Sequence, residues 1–206
     1  MNRVACIDSG VNPDHTHVRP VAGGVAITPD GESEDFLDRL GHGTAVAGAI
    51  REKAPDAEIY AVKVFDRDLA TTGNILLRAL DWCLDRRIDW INLSLGTLNE
   101  EYVPAFTARL ARAHALGIGI VAAYEMAGRP AFPGCLDGAT GVLLDGDCPR
   151  HEFREVLRGG RLLYAASGFP RDIPGVPRRH NLQGISFAVA NVTGFLAARA
   201  VPCRSM

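Results

Sequence analysis

Ala5-Cys6-Ile7-Asp8-Ser9-Gly10, close to the start of the chain, is an apolar run that delivers a carboxylate into a glycine turn. A strand buried in a parallel sheet has this form, and the carboxyl edge of such a sheet is where sites are built. Outward from this stretch, short apolar runs alternate with amphipathic ones to the far end, which is the pattern of an α/β protein with a mostly parallel sheet. Strands are predicted over Arg3 to Ile7, Glu58 to Phe65, Asp89 to Leu95, Ile118 to Tyr124, Thr140 to Leu144 and Arg161 to Ala166. Helices are predicted over His42 to Lys53, Gly73 to Arg86, Val103 to Leu116 and Ser186 to Ala200. In the second helix Ile75, Leu76, Ala79, Leu80 and Cys83 recur at three- and four-residue spacing, so one face is buried and Cys83 belongs to the core. Asn12 to Leu40 and Gly168 to Gly184, each with three prolines, read as loops.

The 206 residues favour a single domain, 1–206, and 47% hydrophobic with 22% charged residues is globular composition. The 22 basic and 24 acidic residues leave a formal charge of −2, so neither nucleic acid nor an anionic membrane is expected as a partner. Ile118 to Tyr124 is the longest apolar stretch and falls far short of a membrane span. Val4 to Ile7 is too short for the apolar region of a signal peptide, so a cytoplasmic location without signal peptide or propeptide is expected. Five scattered cysteines without a C-x-x-C pair fit reduced thiols.

Two further stretches carry chemistry. Gly41-His42-Gly43-Thr44-Ala45-Val46-Ala47-Gly48 sets a histidine in the first turn of a helix whose small residues permit close packing. Gly184-Ile185-Ser186-Phe187-Ala188-Val189-Ala190-Asn191-Val192-Thr193-Gly194 sets a serine at the start of another such helix. Singly, Asp8 reads as a turn residue or cap, His42 as structural and Ser186 as an N-cap. A helix start also offers free N–H groups and a positive dipole end beside the hydroxyl, which suits an oxyanion.

Together, Asp, His and Ser in this order resemble the subtilases, the subtilisin-like serine peptidases. Their signatures A-x-I-D-S-G and H-G-T-x-V-A-G match closely; the third, G-T-S-M-A-x-P-x-V-A-G, is looser, with Ile185, Phe187 and Ala190 departing from it. Ala61-Val62-Lys63-Val64 and Asp89 to Gly96 resemble two further strands of the family, so the similarity runs from residue 3 to about 200. The resemblance implies a subtilisin-like three-layer fold and an Asp8/His42/Ser186 triad that hydrolyses peptide bonds through an acyl-enzyme on Ser186. It maps a substrate-pairing strand onto Ser94, Leu95 and Gly96, faced by Leu69 to Gly73; the side chains of Leu93 and Leu95 read better as core.

The family's A-A-G-N, whose Asn donates to the oxyanion, aligns here with Ala122-Ala123-Tyr124-Glu125-Met126. Met126 cannot donate and an ionised Glu125 only accepts, so the Ser186 N–H is left as the obvious donor of the oxyanion region. A slow, specialised peptidase, recruitment of Tyr124, Asn181, Gln183 or a reordered loop as donor, and a catalytically silent peptide-binding relative are the three accounts open. Glu125 falls where the family walls the pocket before the cleaved bond, which suggests a preference for Lys or Arg there, against the alternative of a solvated carboxylate. His15 aligns with a structural histidine and His17 replaces a calcium-binding Asp of some members, so no metal and no cofactor is expected. A peptide or protein substrate is implied. An unrestrained cytosolic peptidase endangers its host, so narrow specificity, as in maturation of a peptide, weak activity or an activating partner is the expected safeguard.

Overall fold

The computed structural model describes residues 1–199; Ala200, where the fourth predicted helix ends, and Cys203 lie outside the described residues. The first strand, β1 (Arg3–Asp8), is followed by β2 (Gly23–Thr28), β3 (Gly31–Ser33), α1 (His42–Lys53), β4 (Glu58–Lys63), α2 (Gly73–Asp85) and β5 (Trp90–Leu93). The second half adds α3 (Val103–Leu116), β6 (Gly119–Ala123), β7 (Glu125–Met126), β8 (Arg129–Pro130), β9 (Thr140–Leu144), β10 (Phe153–Arg158), β11 (Arg161–Ala166) and α4 (Ile185–Arg199). Among the described residues nine strands form one sheet in the order β10-β11-β9-β6-β5-β1-β4-β2-β3, and β7 and β8 form a separate ribbon. The seven inner strands pair in parallel, while β3 and β10 close the two edges antiparallel.

Alternation along β1 explains the layering. Ala5 and Ile7 pack with α2 and α3 on one face, whereas Val4 and Cys6 pack with α1 and α4 on the other. Side chains of a strand point to alternate faces, so an unbroken apolar run is what a sheet covered on both sides demands. The chain passes from β1 through α1 to β4 on one side, then through α2 to β5 on the other side of β1. Chain order therefore reverses at β1, and the carboxyl end of β1, occupied by Asp8, lies at the position where open α/β sheets build their sites.

The ten predicted elements are all present, most within two residues of their expected ends, and Cys83 is fully buried as expected. Leu93 is buried and Leu95 packs against the same core. The reading of Asn12 to Leu40 as loop is corrected: β2 and β3 lie within it, and Val25, Ala26 and Ile27 are buried. Prolines 20 and 29 bracket this strand and mask a short run. Strand β10 was not foreseen because, at a sheet edge, it buries no residue fully, only Phe153 and Val156 are half-buried, and it carries charges. Gly168 to Gly184 is irregular apart from one turn of 3₁₀ helix, Arg178–His180.

Helix α1 meets β1 through glycine. A Cβ at Gly43 would collide with the Gly10 carbonyl oxygen and approach the Asp8 side chain to 3.2 Å, while one at Gly41 would meet nothing within 4 Å. Gly41 instead needs its hydrogen side chain for its φ of 80°. Gly43→Ala is expected to cost about 3 kcal/mol by overpacking and Gly41→Ala about 1 kcal/mol by backbone strain. Urea unfolding of the two variants checks that order.

Candidate active site

Asp8 is fully buried at the end of β1, and its Oδ1 accepts from the Ser9 amide at 2.8 Å. The same oxygen bonds His42 Nδ1 at 2.7 Å. His42 opens α1, and this contact is possible because glycine at position 43 lets the helix end approach β1. Asp8 Oδ2 is buried with no hydrogen-bond partner among the described residues, so the imidazole and the Ser9 amide are the compensation for the carboxylate.

The start of α1 has no side-chain cap from its own N-cap residue, Gly41. Two residues further away do that work. Asp38 Oδ1 accepts from the Leu40 and Gly41 amides, both at 2.9 Å, and Asp38 Oδ2 accepts from the Thr44 amide at 2.8 Å and its hydroxyl at 2.6 Å. Ser9 donates to Asp38 Oδ1 and accepts from the Gly43 amide, each at 2.9 Å. The helix-start N–H groups are thus satisfied, and His42 is held rigidly from behind. Burial pushes the Asp38 carboxyl up, but the donors of Thr44, Leu40 and Ser9 outweigh it and hold it below the usual carboxylate range. This clamp escaped sequence reading; an Asp four residues before His42 was the available signal.

Ser186 lies in the first turn of α4, and its hydroxyl donates to the Ser94 carbonyl at 3.1 Å. The ring of its neighbour Phe187 stands 5.2 Å from that of His42, which brings the α1 and α4 starts together. A buried polar chain fixes α4 against β5: Thr193 donates to Asn92 Oδ1 at 2.9 Å, and Asn92 Nδ2 donates to Ser94 Oγ at 2.7 Å. Asp8, His42, Ser186 and Ser94 therefore share one edge of the sheet. Leu95 and Gly96 continue from Ser94, after which Thr97 and Phe132 exchange backbone bonds at 2.8 and 2.9 Å.

Glu125 and Met126, both half-buried, form β7, paired with β8. Glu125 is not a free carboxylate, since Arg158 Nη1 donates to its Oε2 at 2.8 Å. Tyr124 lies beneath two guanidinium groups, those of Arg158 and Arg161, at 5.5 and 5.7 Å. Asn181 is engaged too, donating to the Arg171 carbonyl at 3.1 Å. Buried Cys6 and Cys83 offer no competing nucleophile, because burial pushes both thiols far up, aided at Cys6 by the Asp8 charge. Among the described residues no group of three His, Cys, Asp or Glu side chains is arranged for a metal.

The model of the subtilase family, Peptidase_S8, matches residues 2–124. The chain is 36% identical to "Minor extracellular protease Epr" of Bacillus subtilis over 110 residues, 49% of the chain and 16% of that protein. It is 30% identical to "Thermostable alkaline protease" of Halalkalibacterium halodurans over 210 residues, 95% of the chain and 55% of that protein. It is also 26% identical to "Intracellular serine protease" of Paenibacillus polymyxa, over 95% of the chain and 65% of that protein. The chain thus spans from about a sixth to about two thirds of the length of these relatives.

Burial pushes the His42 imidazole down, but the hydrogen bond and charge of Asp8, with the charge of Asp38 added, outweigh it and leave the pKa raised. Charged His42 therefore adds stability that is complete below about pH 6.5, the unfolded value, and is lost as pH rises through the higher folded value. In Asp8→Asn burial, the largest influence, is opposed only by the smaller charge effect of Asp38, and the imidazole is expected to titrate below about 6.5 instead of above it. NMR titration of the His42 ring protons measures both.

Proposed function

Because the chain belongs to the subtilase family, we propose that it is a serine peptidase in which Asp8, His42 and Ser186 cleave a peptide or protein substrate. The observation that carries this reading is the buried 2.7 Å bond between Asp8 and His42, at the edge where α4 presents Ser186. With Nδ1–H committed to Asp8, the neutral ring keeps Nε2 as its base. Nε2 takes the Ser186 proton as Oγ attacks the carbonyl, then returns it to the leaving amine. The acyl-enzyme on Ser186 is released by water. Asp8, with one oxygen otherwise unpartnered, favours the imidazolium that each transfer creates.

In the resting arrangement the Ser186 hydroxyl is given to the Ser94 carbonyl, so it must turn toward His42 before attack. Ser94 also belongs to the segment proposed, with Leu95 and Gly96, to pair with the substrate backbone. A substrate N–H bonded to that carbonyl competes with the resting bond, which links substrate binding to release of the nucleophile. For the oxyanion, the α4 start offers the Ser186 N–H and Met126 offers nothing. Lack of a side-chain donor typically costs about 100- to 1000-fold in kcat, and a slow, narrow peptidase fits that loss. Of the substitutes, Asn181 donates to the Arg171 carbonyl, whereas neither the Tyr124 hydroxyl nor the exposed Gln183 side chain makes a hydrogen bond among the described residues. Gln183, exposed and just before α4, is proposed as the donor that turns in.

Maturation of a peptide in the cytoplasm, under narrow specificity or with an activating partner, belongs to the same reading. It is supported by free thiols at all four described cysteines and by one relative's name as an intracellular protease. No described helix is long and apolar enough to cross a membrane. The second reading is a catalytically silent peptide binder, which Met126 and the engaged Ser186 hydroxyl favour.

A fluorophosphonate probe is expected to label wild-type protein at Ser186 and to leave Ser186→Ala unlabelled; a folded wild type that takes no label at Ser186 decides for the binder. Cleavage should rise along an acid limb with a midpoint above pH 6.5, since only neutral His42 accepts the proton. In a peptide library, Glu125→Gln is expected to lower selection of Lys or Arg before the cleaved bond by about fivefold, limited because Arg158 already shares the charge.

A further inference from the structure

Beside the site lies a cleft of about 540 Å³ that the catalytic reading leaves unused. Its floor is the start of α1, with Asp38, Gly41 and Thr44; its walls include His15, His17, Arg171 and His180. Exposed Ile173 and Leu182 stand in the wall on the Gly168 to Gly184 side. The cleft combines apolar flanks with one arginine, three histidines and a carboxylate, Asp38.

Arg171 is half-buried and makes no ion pair among the described residues. Its sequence neighbour Asp172 is committed to Arg178 at 3.1 Å and Arg150 at 3.5 Å. Asp38, the carboxylate of the cleft, has both oxygens filled by five donors. His15 Nδ1 accepts from the His17 amide at 3.2 Å, so its neutral ring carries its proton on Nε2 as a donor. Burial above all, with the nearby Arg171 charge and His15 adding to it against Glu52, holds His17 below the ordinary imidazole value and so favours its neutral form. A second surface depression, of about 490 Å³, differs in that both its carboxylates, Asp35 and Asp66, form ion pairs with Arg39 and Lys63, although Arg67 there has none among the described residues.

Placement says which part of a substrate meets the cleft. The segment Ser94 to Gly96 follows β5, and the facing loop Leu69 to Gly73 leads into α2, on the α2–α3 side of the sheet. The cleft is made by segments that lead into α1 and α4, on the other side. A peptide paired with Ser94 to Gly96, with its carbonyl on Ser186, sends its leaving half toward the cleft.

We propose that this cleft is a carboxylate-recognition site for the leaving-group half of the substrate, with Arg171 as its main anchor and His15, His17 and His180 as supporting donors. The carboxylate is an Asp or Glu side chain or the peptide's own C-terminus. The assignment of a substrate half rests on the peptidase reading; the anion-binding surface does not.

The test uses three peptide sets that differ only after the cleaved bond: acidic side chains with an amidated end, lysines with an amidated end, and neutral residues with a free carboxyl end. Wild type is expected to cleave one of the carboxylate sets with kcat/KM about tenfold above the lysine set, the size of one charge-assisted hydrogen bond. The better of the two identifies the source. Arg171→Glu is expected to reverse the preference and Arg171→Lys to keep most of it, which separates charge from loss of fold. Equal cleavage of all sets, or a preference unmoved in Arg171→Glu, overturns the site while leaving the peptidase intact. The same labelled peptides are titrated into Ser186→Ala by fluorescence anisotropy. Arg171-dependent binding there, with no cleavage and no fluorophosphonate label at Ser186 in wild type, sustains the anion site and overturns the peptidase.

Discussion

The contact on which the rest depends is the approach of the α1 start to the end of β1. It brings a fully buried carboxylate within 2.7 Å of an imidazole. An isolated buried carboxylate is very costly, and its cost is met only by charge and hydrogen bonds arranged around it. The Ser9 amide and His42 supply these on one oxygen, and nothing supplies them on the other. Glycine at 43 is what allows the approach, because any side chain would hit the Gly10 carbonyl. The price is a helix start without its own cap, and Asp38 and Ser9 replace the missing acceptors.

The second half of the site is set by different means. Ser186 belongs to a helix whose residues are almost all apolar or small, so apolar packing alone would specify its rotation poorly. The buried chain Thr193–Asn92–Ser94 supplies a directional constraint, since a hydrogen bond fixes register where apolar contacts tolerate sliding. Asn191 adds two bonds, to the Ser167 and Phe169 carbonyls at 2.9 and 3.0 Å, anchoring the loop before α4. Helices α1 and α4 also approach closely, since a Cβ at Gly194 would stand 3.0 Å from that of Lys53. Polar pinning of α4 and glycine contacts of α1 thus converge on one edge.

Much of this was legible because buried parallel strands and small-residue helices write themselves into local sequence. The β1 run, the His42 helix and the period of Ile75 to Cys83 each carry their signal within a dozen residues. Strand β2 did not, because its prolines argue for a loop and its burial depends on pairing with β4, far along the chain. Strand β10 did not, because an edge strand buries too little to show a pattern. Within the site, Asp8, His42 and Ser186 stand in recognisable surroundings. The Asp38 clamp and the Arg158–Glu125 pair do not, since each joins groups brought together only by tertiary structure.

A near-neutral chain says little about its local fields, and the charges near α4 show why. Glu52 and Asp172 face Lys53, Arg150 and Arg178, and these five groups are linked in a chain of ion pairs across α1, the residue-150 turn and the loop before α4. Arg150 and Lys53 have largely buried side chains, so they require these carboxylates, and the carboxylates are thereby withdrawn from other cations nearby. Arg171 sits next to Asp172 in sequence, yet gains nothing from it, because Asp172 is already shared between two guanidinium groups. The sum of formal charges over the chain is −2, but a field is felt over roughly 8 to 10 Å at physiological salt. On that scale Asp38 remains a negative charge, but its oxygens are filled by neutral donors, and among the described residues it is Arg171 that is left without an ion pair to take an incoming carboxylate. Formal charge is only a count, and among the described residues the half-buried cation beside the cleft that pairing leaves over is Arg171.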